Sequence, residues 1–420
     1  MKELILAALP NLEVSKERYL TAANIETLAP VSELIAKQYP LWVDADDPLY
    51  SFFTISSVLR SSGLLEKPGL LKDTADPERL EAAADAFIGF WEDVPYTYEF
   101  VFPLPSLEPR EPAQQIAQGV SFKTCARSDA GLIDVPQQSP LSGLFGFPNS
   151  SLMQRPQVRC LFIEAKGVLL SAIGSAPTLA TAIRKAKIVI ELGIALGALR
   201  SAWTEGIRDV TAATVRALTG PPVEFDRVPL EESFAEALPQ THRALAPSDG
   251  AAVASLSETL APVGVVLDHY ERWDPEKEPS KKGPEAWKWY FDEHCARIVT
   301  AAEWLFDARN DGHSPTTFVQ TAIAFEAIYG GAKSEQIVET LTNRIAYTLG
   351  RAPQERLLLA EEFREFYSTR SKVVHRGASR LTGPENRQLI YAQNVLRRAL
   401  RHELELVARG AKAFEESDRT

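Results

Sequence analysis

Residues 367–377 read Tyr-Ser-Thr-Arg-Ser-Lys-Val-Val-His-Arg-Gly and place Arg370 and His375 five residues apart near the end of a predicted helix. At about 100° per residue, roughly 140° separates the two side chains around the helix, so both can reach a ligand lying across its end. Gly377 suits the left-handed conformation that ends many helices. His375 would then lie in the last turn, where the helix dipole favours its protonated form. The stretch therefore predicts a helix end that carries two cationic side chains.

The residue types of this helix end suit phosphodiester chemistry. The guanidinium of an arginine binds two phosphate oxygens in one plane. A histidine accepts or donates a proton near neutral pH. Neither step needs a metal ion or an organic cofactor, so we expect neither.

The motif Tyr-x-x-Arg-Ser-x-x-Val-His resembles the HEPN superfamily, and in particular its ApeA-like branch. Two upstream segments add to the resemblance, namely Phe325-Glu326-Ala327-Ile328 on one predicted helix and residues 337–346 on the next. It covers residues 285–412 and does not extend to the first 270. The resemblance implies a helical domain of the HEPN type at the C-terminal end of the chain.

The HEPN resemblance also implies a function, which is metal-independent endoribonuclease activity at a site shared by two subunits, in a toxin or antiviral-defence setting such as abortive infection. Arg370 would hold the scissile phosphate and His375 would transfer protons, with Tyr367 and Ser371 positioning them. For Glu326 the sequence leaves two interpretations open, an ion-pair partner for an arginine near the motif or a residue at the edge of the core. The implied partners are RNA, a second copy of the chain, and a phage-derived or other protein trigger.

Positive charge is concentrated around the motif. The net charge of the chain is −11, but residues 341–420 hold 15 basic and 10 acidic residues, whereas residues 1–340 hold 30 and 46. Lys372, Arg376 and Arg344 are the candidate RNA-binding residues because a polyanion needs such cations. Glutamates interleave with these cations, and alternating charge also describes a solvated, ion-paired helix face.

Two other functions compete with the composite nuclease. A HEPN-like domain can serve only for dimerisation and interaction, without catalysis. A metal-dependent nuclease would instead use Glu164 and Lys166, an E-x-K motif at the end of an apolar strand, with Asp134 upstream. Such an enzyme needs two carboxylates for Mg²⁺ and a lysine beside the attacking water.

Composition limits the remaining classes of protein. The three cysteines, Cys125, Cys160 and Cys295, are widely spaced and form no C-x-x-C motif, so neither a disulfide framework nor a cysteine zinc site is indicated. No phosphate-binding G-x-x-x-x-G-K-[ST] loop or G-x-G-x-x-G turn occurs. The apolar segments are too short or too charged to form a membrane span or a signal peptide. We expect a cytoplasmic protein with no membrane partner.

The chain reads as an α+β protein in which a mixed N-terminal region, residues 1–270, precedes an all-α bundle, residues 285–412. Prolines and charged residues mark a linker at 271–284, and residues 413–420 are a predicted tail. Proline and glycine signals delimit the bundle helices. The predicted helices are Glu285–Asn310, Ser314 or Pro315–Tyr329, Ser334–Leu349, Pro353–His375, and Gly383 or Pro384–Arg409.

The N-terminal region carries both helical and strand patterns, which predicts a sensing or substrate-selecting domain of mixed structure. The predicted helices are Pro30–Gln38, Pro48–Arg60, Pro77–Trp91 and Thr178–Trp203. The predicted strands are Tyr96–Phe102, Val120–Ala126 and Arg159–Ser171, the last with a hairpin turn at Ala165–Gly167.

Overall fold

A computed structural model describes most of the chain, and all structural statements concern those residues. The described residues are 1–43, 49–104, 114–128, 131–134, 157–169, 176–203, 212–220, 227–229, 243–247, 256–277, 283–310, 314–330, 337–377 and 380–417. They form a mixed α/β structure with an antiparallel sheet in the N-terminal half and a helical C-terminal region.

The first 250 residues contain both helices and strands. The helices are α1 (Lys2–Ala8), α2 (Asn24–Gln38), α3 (Leu49–Ser61), α4 (Leu71–Thr74), α5 (Pro77–Glu92) and α6 (Ala176–Ala195). The strands are β1 (Glu13–Val14), β2 (Gly69–Leu70), β3 (Tyr96–Leu104), β4 (Gln114–Ala117), β5 (Val120–Ser128), β6 (Gly131–Asp134), β7 (Gln157–Gly167), β8 (Leu199–Trp203), β9 (Ala212–Ala217), β10 (Arg227–Pro229) and β11 (Arg243–Pro247).

Among the described residues, one sheet contains seven strands in the order β10-β9-β3-β7-β5-β4, with β6 also paired to β5. The pairs β10–β9, β3–β9, β4–β5 and β5–β6 are antiparallel, and Phe100 lies opposite Val215 in the β3–β9 pair. Two short antiparallel ladders, β1–β2 and β8–β11, lie outside this sheet. The sequence predicted β3 and β5, and the structure confirms both.

The C-terminal region is helical, as its proline and glycine signals predicted. Its helices are α7 (Leu256–Tyr270), α8 (Pro284–Asn310), α9 (Pro315–Tyr329), α10 (Ile337–Leu349), α11 (Pro353–Arg376) and α12 (Gly383–Ser417). Helix α8 packs on α7, α9 and α12, and α11 packs on α9, α10 and α12. The Cα of Gly264 in α7 lies so close to the carbonyl of Ile116 in β4 that a Cβ would clash with it. A larger residue there would push α7 off β4.

The chain divides into two compact units. The first comprises Met1–Val101, Ile163–Ile183 and Thr211–Leu230, and the second comprises Phe102–Phe162, Arg184–Val210 and Glu231–Thr420. The first unit has a core of buried side chains from α1 to α5, among them Ile5, Leu28 and Trp91. The second unit contains α7 to α12 and also residues 184–195 of α6. Whether residues 285–412 fold alone, as the predicted boundary at 271–284 implies, stays a prediction.

Two predicted elements are wrong in detail. The helix predicted at Thr178–Trp203 ends at Ala195, because Gly197 adopts φ +74° and the following residues form β8, paired with β11. Glycine is the residue that most readily ends a helix in this way. The hairpin turn predicted at Ala165–Gly167 is absent, because these residues continue β7 to its end. The remainder of that predicted strand, residues 170–171, lies outside the described residues.

Other predicted bounds shift by one or two turns. Helix α2 starts at Asn24 rather than Pro30, since the Asn24 side-chain amide bonds both backbone groups of Glu13, at 2.9 and 2.7 Å. Helix α12 continues to Ser417, into the predicted tail. Within the predicted linker, Pro275–Lys277 form a 3₁₀ turn, and the indole of Trp289 donates to the carbonyl of Asp274 at 3.0 Å.

Candidate active site

Aromatic packing fixes the helix that carries the motif. Phe366 of α11 stacks on Phe318 of α9 with ring centroids 5.4 Å apart, and Phe363 meets Phe325 edge-on at 4.8 Å. All four rings are buried. Later positions on α11 therefore face earlier positions on α9, so the two helices run antiparallel. The C-terminal end of α11 projects towards and beyond the start of α9.

The end of α11 has the geometry that its sequence predicted. Gly377 adopts φ 60° and ψ 37°, in the left-handed region, and its N–H donates to the carbonyl of Val374 at 3.2 Å. No atom lies within 4 Å of where a Cβ would be. His375 is in the last turn and is exposed. Because residues 370–375 are helical throughout, the predicted angle between Arg370 and His375 holds.

Tyr367 and Glu326 form a hydrogen bond between α11 and α9. The hydroxyl of Tyr367 donates to Oε1 of Glu326 at 3.1 Å and lies 3.4 Å from the carbonyl of Ala322. Burial raises the pKa of Tyr367, and the negative charge of Glu326 raises it further, whereas the charge of Arg370 acts in the opposite direction. Glu326 is half-buried, which agrees with the interpretation as a residue at the edge of the core, and it accepts a hydrogen bond from a buried tyrosine.

Arg370 lies one turn beyond Tyr367 and is half-buried. Its Nε is shielded from solvent and has no hydrogen-bond partner among the residues that the structure describes. Its neighbour Ser371 is half-buried as well. A buried donor without a partner is costly. An acceptor that reached the Nε of Arg370 would remove this cost, so the arginine favours binding of such a group.

The three candidate RNA-binding residues have different surroundings. Arg376 forms a two-point ion pair with Glu385 at the start of α12, with N–O distances of 3.1 and 3.3 Å. Arg344 donates to the carbonyl of Tyr329 at the end of α9. Lys372 is exposed and makes no ion pair within the described part of the chain. The guanidinium groups of Arg376 and Arg344 therefore already have partners within the subunit.

Glu385 organises the start of α12, and sequence reasoning missed it. Its Oε2 accepts from the N–H and the hydroxyl of Thr382, at 2.7 and 2.8 Å. These bonds are the largest influence holding the pKa of Glu385 below its ordinary value. The signal was present in the sequence, because Thr382 and Glu385 match the T-x-x-E pattern of a capping box. Through Arg376, this cap ties the end of α11 to the start of α12.

A second polar cluster, also missed, lies between α8, α9 and α12. Tyr329 donates to Oε1 of Glu403 at 2.9 Å, and Nε2 of His294 lies 3.1 Å from Oε2 of the same carboxylate. Glu403 is almost fully buried, whereas His294 is partly exposed. The three residues are 35 to 109 positions apart in the chain, so no local pattern could have indicated the cluster.

The E-x-K motif lies on β7. Glu164 is half-buried and Lys166 is exposed, two residues apart on one strand, which places both on the same face. The side chain of Asp134, at the end of β6, is outside the described side chains. Within the described residues, no group of three or more histidine, cysteine, aspartate or glutamate side chains could hold a metal ion.

Comparison with known proteins adds no relative: no family model, no curated protein and no solved structure matches the chain. Among the described residues, no helix is long and apolar enough to cross a membrane. All three cysteines are buried, and no disulfide joins any of them within the described part of the chain.

Proposed function

We propose that this protein is a metal-independent endoribonuclease of the HEPN type, with a composite site formed by two copies of the chain. The observation that carries the proposal is the state of Arg370. Nearby arginines are engaged by carboxylates, Arg364 by Glu339 at 3.0 Å and Arg376 by Glu385. Arg370 instead keeps a shielded Nε without a partner on the same helix end as an exposed His375. This arrangement supports phosphate binding beside a proton-transfer group.

The reaction follows from these residue types. A base removes the proton from a ribose 2′-hydroxyl, the 2′-oxygen forms a bond to its own phosphorus, and the bond from phosphorus to the 5′-oxygen breaks. An acid donates a proton to the leaving 5′-oxygen, which gives a cyclic phosphate and a 5′-hydroxyl. One chain offers a single His375, so the base and the acid come from two copies related by a two-fold axis. The two Arg370 groups stabilise the phosphorane charge.

Tyr367 and Glu326 position this site rather than react in it. Their hydrogen bond holds α11 on α9 one turn before Arg370.

We propose a cytoplasmic role in antiviral defence or as a toxin, in which a phage-derived or other protein trigger releases activity. The N-terminal region, residues 1–270, would sense the trigger or restrain the nuclease.

The test is cleavage of RNA by the purified chain in EDTA, with the ends of the products identified. We expect cyclic-phosphate ends in the wild type and a loss of about 10²-fold or more in rate for Arg370→Ala and for His375→Ala. Arg370→Lys keeps the charge but loses the planar fork, so it should recover only part of the activity. Arg401→Ala, an exposed arginine on α12, is the matched control.

Several results would contradict the nuclease. Cleavage that EDTA abolishes and that depends on Glu164 and Lys166 would assign the activity to the E-x-K motif. Dimerisation with no cleavage of any RNA, even with a trigger supplied, would assign the helical domain to interaction alone.

A further inference from the structure

A pair of exposed aromatic side chains lies at the start of α8. Trp287 is 69% exposed and Tyr290 is 48% exposed. Three residues along a helix place the two rings about 60° apart, on one face. Large aromatic side chains are usually well buried. An exposed tryptophan beside an exposed tyrosine therefore indicates a candidate ligand-binding surface.

Contacts made by neighbouring residues of α8 hold these two rings in place. The neighbouring Trp289 donates its indole N–H to Asp274, and the ring of Tyr290 packs edge-on against Trp289 at 5.3 Å. Phe291 packs against His269 of α7 at 4.6 Å and lies against Gly410 of α12, where a Cβ would come within 2.8 Å of its ring. The start of α8 is thereby held between α7 and the end of α12, and its exposed rings are presented on a fixed helix.

Exposed basic side chains occur on the same helix as these aromatic residues and on the end of α12 that contacts it. Lys288 lies between the two aromatic residues in sequence and is exposed. On α12, Arg409 and Lys412 flank Gly410 and are exposed too. Residues 277–288, which lead into and begin α8, contain four lysines and two glutamates. Exposed rings with surrounding cations are the combination on which single-stranded nucleic acid binds, with bases stacked on the rings and phosphates near the lysines.

We infer that Trp287 and Tyr290 form a stacking surface for single-stranded RNA, distinct from the Arg370/His375 end. The inference rests on the proposed nuclease function for its choice of RNA. The two surfaces are at opposite ends of α8. From Trp287 to Asn310 the helix extends about 35 Å at about 1.5 Å per residue, and α9 begins soon after that far end, where the end of α11 lies. The stacking surface therefore binds bases distant from the scissile phosphate.

The separation sets a length requirement for the substrate. At about 3.4 Å per stacked nucleotide, a strand needs roughly ten nucleotides to cover about 35 Å. A long RNA engages both surfaces of one subunit, whereas a hexamer engages one. Loss of the aromatic residues should therefore weaken the binding of long RNAs and leave the rate of cleavage of short RNAs unchanged.

The experiment measures the affinity of a fluorescein-labelled 30-nucleotide poly-U RNA by anisotropy, with His375→Ala in every chain so that the RNA stays intact. The double variant Trp287→Ala/Tyr290→Ala should weaken binding by about tenfold or more. The single variant Trp287→Phe should retain most of the affinity, because a ring remains. Tyr347→Ala is the matched control, since Tyr347 is as exposed as Trp287 but lies on α10. Circular dichroism checks the fold of each variant.

The possible outcomes distinguish failure of the stacking surface from failure of the nuclease proposal. Unchanged affinity in the double variant, or an equal loss in the rate of cleavage of a hexamer when His375 is retained, overturns the stacking surface and leaves the nuclease proposal standing. A change in oligomeric state with unchanged RNA affinity assigns the surface to a protein contact instead. If the double variant loses affinity while Arg370→Ala and His375→Ala still cleave, the nuclease assignment fails and the stacking surface stands. If the chain binds no single-stranded RNA, the stacking surface is overturned.

Discussion

Glu403 is a buried carboxylate whose ionised form depends on two donors. Burial alone would raise the pKa of Glu403, but hydrogen bonds from His294 and Tyr329 and the charge of His294 together hold it below the ordinary value. A carboxyl group with a lowered pKa in the folded state stabilises the fold above its unfolded pKa, and that contribution disappears as the pH falls through the folded pKa. The contribution of Glu403 should therefore be complete near neutral pH and decline below about pH 4.5.

Substitution of Glu403 tests this at the scale of one residue. Glu403→Gln keeps the size of the side chain but removes its charge, so we expect a loss of about 1–3 kcal/mol in the free energy of unfolding at pH 7. The difference from wild type should shrink as the pH falls below about 4.5. Urea unfolding at a series of pH values measures it. Glu405→Gln is the control, because Glu405 pairs with Arg401 on the surface and such pairs contribute little. A pH-independent difference would contradict the prediction.

How far the sequence determines a contact depends on how local that contact is. Gly377 could be predicted because helix termination is read within a few residues. The Tyr367–Glu326 bond could not be, because its partners lie 41 positions apart and meet only when α11 packs on α9. The same holds for Arg370. Its Nε has no partner because the fold brings no acceptor of the described residues within hydrogen-bond distance, and the sequence does not show which acceptors the fold brings near.

At the scale of elements, proline and glycine mark helix ends reliably where no other interaction competes. Pro353 and Gly377 bound α11 as predicted, and Ser314 caps α9 by accepting from the N–H of Thr316. The end of α6 was missed because residues 199–203 gain a β partner 40 to 48 positions away in β11. Apolar residues suit a helix or a strand equally in such a segment, and a distant partner decides.

Two glycines offer a paired test of helix-end geometry. Gly377→Ala places a Cβ on a left-handed backbone, so we expect a loss of about 1 kcal/mol in the free energy of unfolding. Gly89→Ala makes the same chemical change inside α5, and it should add about 0.5–1 kcal/mol. Neither new methyl group meets an atom within 4 Å, so packing does not explain the opposite signs. Urea unfolding of both variants gives the comparison, and equal signs would contradict it.

At the scale of the whole chain, the helical C-terminal region is bound to residues that precede the predicted linker. In residues 184–195 of α6, Arg184 pairs with Glu303 at 2.7 Å and Lys187 with Asp307 at 2.9 Å. Further along α6, the fully buried Glu191 pairs with Arg397 at 3.0 Å. From α7, His269 bonds Asp292 at 2.5 Å. The sequence placed the domain boundary at prolines and charged residues, but all four pairs cross it, and the three from α6 join residues more than 100 positions apart.

These pairs predict how fragments of the chain will fold. A fragment that starts at Pro284 lacks α6 and α7, so it exposes the apolar faces of α8 and α12 that they cover. It also leaves Asp292, Glu303 and Arg397 without the partners described above. Burial of apolar surface contributes about 25 cal/mol per Å², and an ordinary domain is stable by only about 5–15 kcal/mol. We therefore expect fragment 284–420 to lose its cooperative thermal transition, measured by circular dichroism. Fragment 176–420 retains α6 and α7 and should keep a transition. A cooperative transition in fragment 284–420 with the midpoint of the longer fragment would contradict this and would support the predicted linker as a true domain boundary.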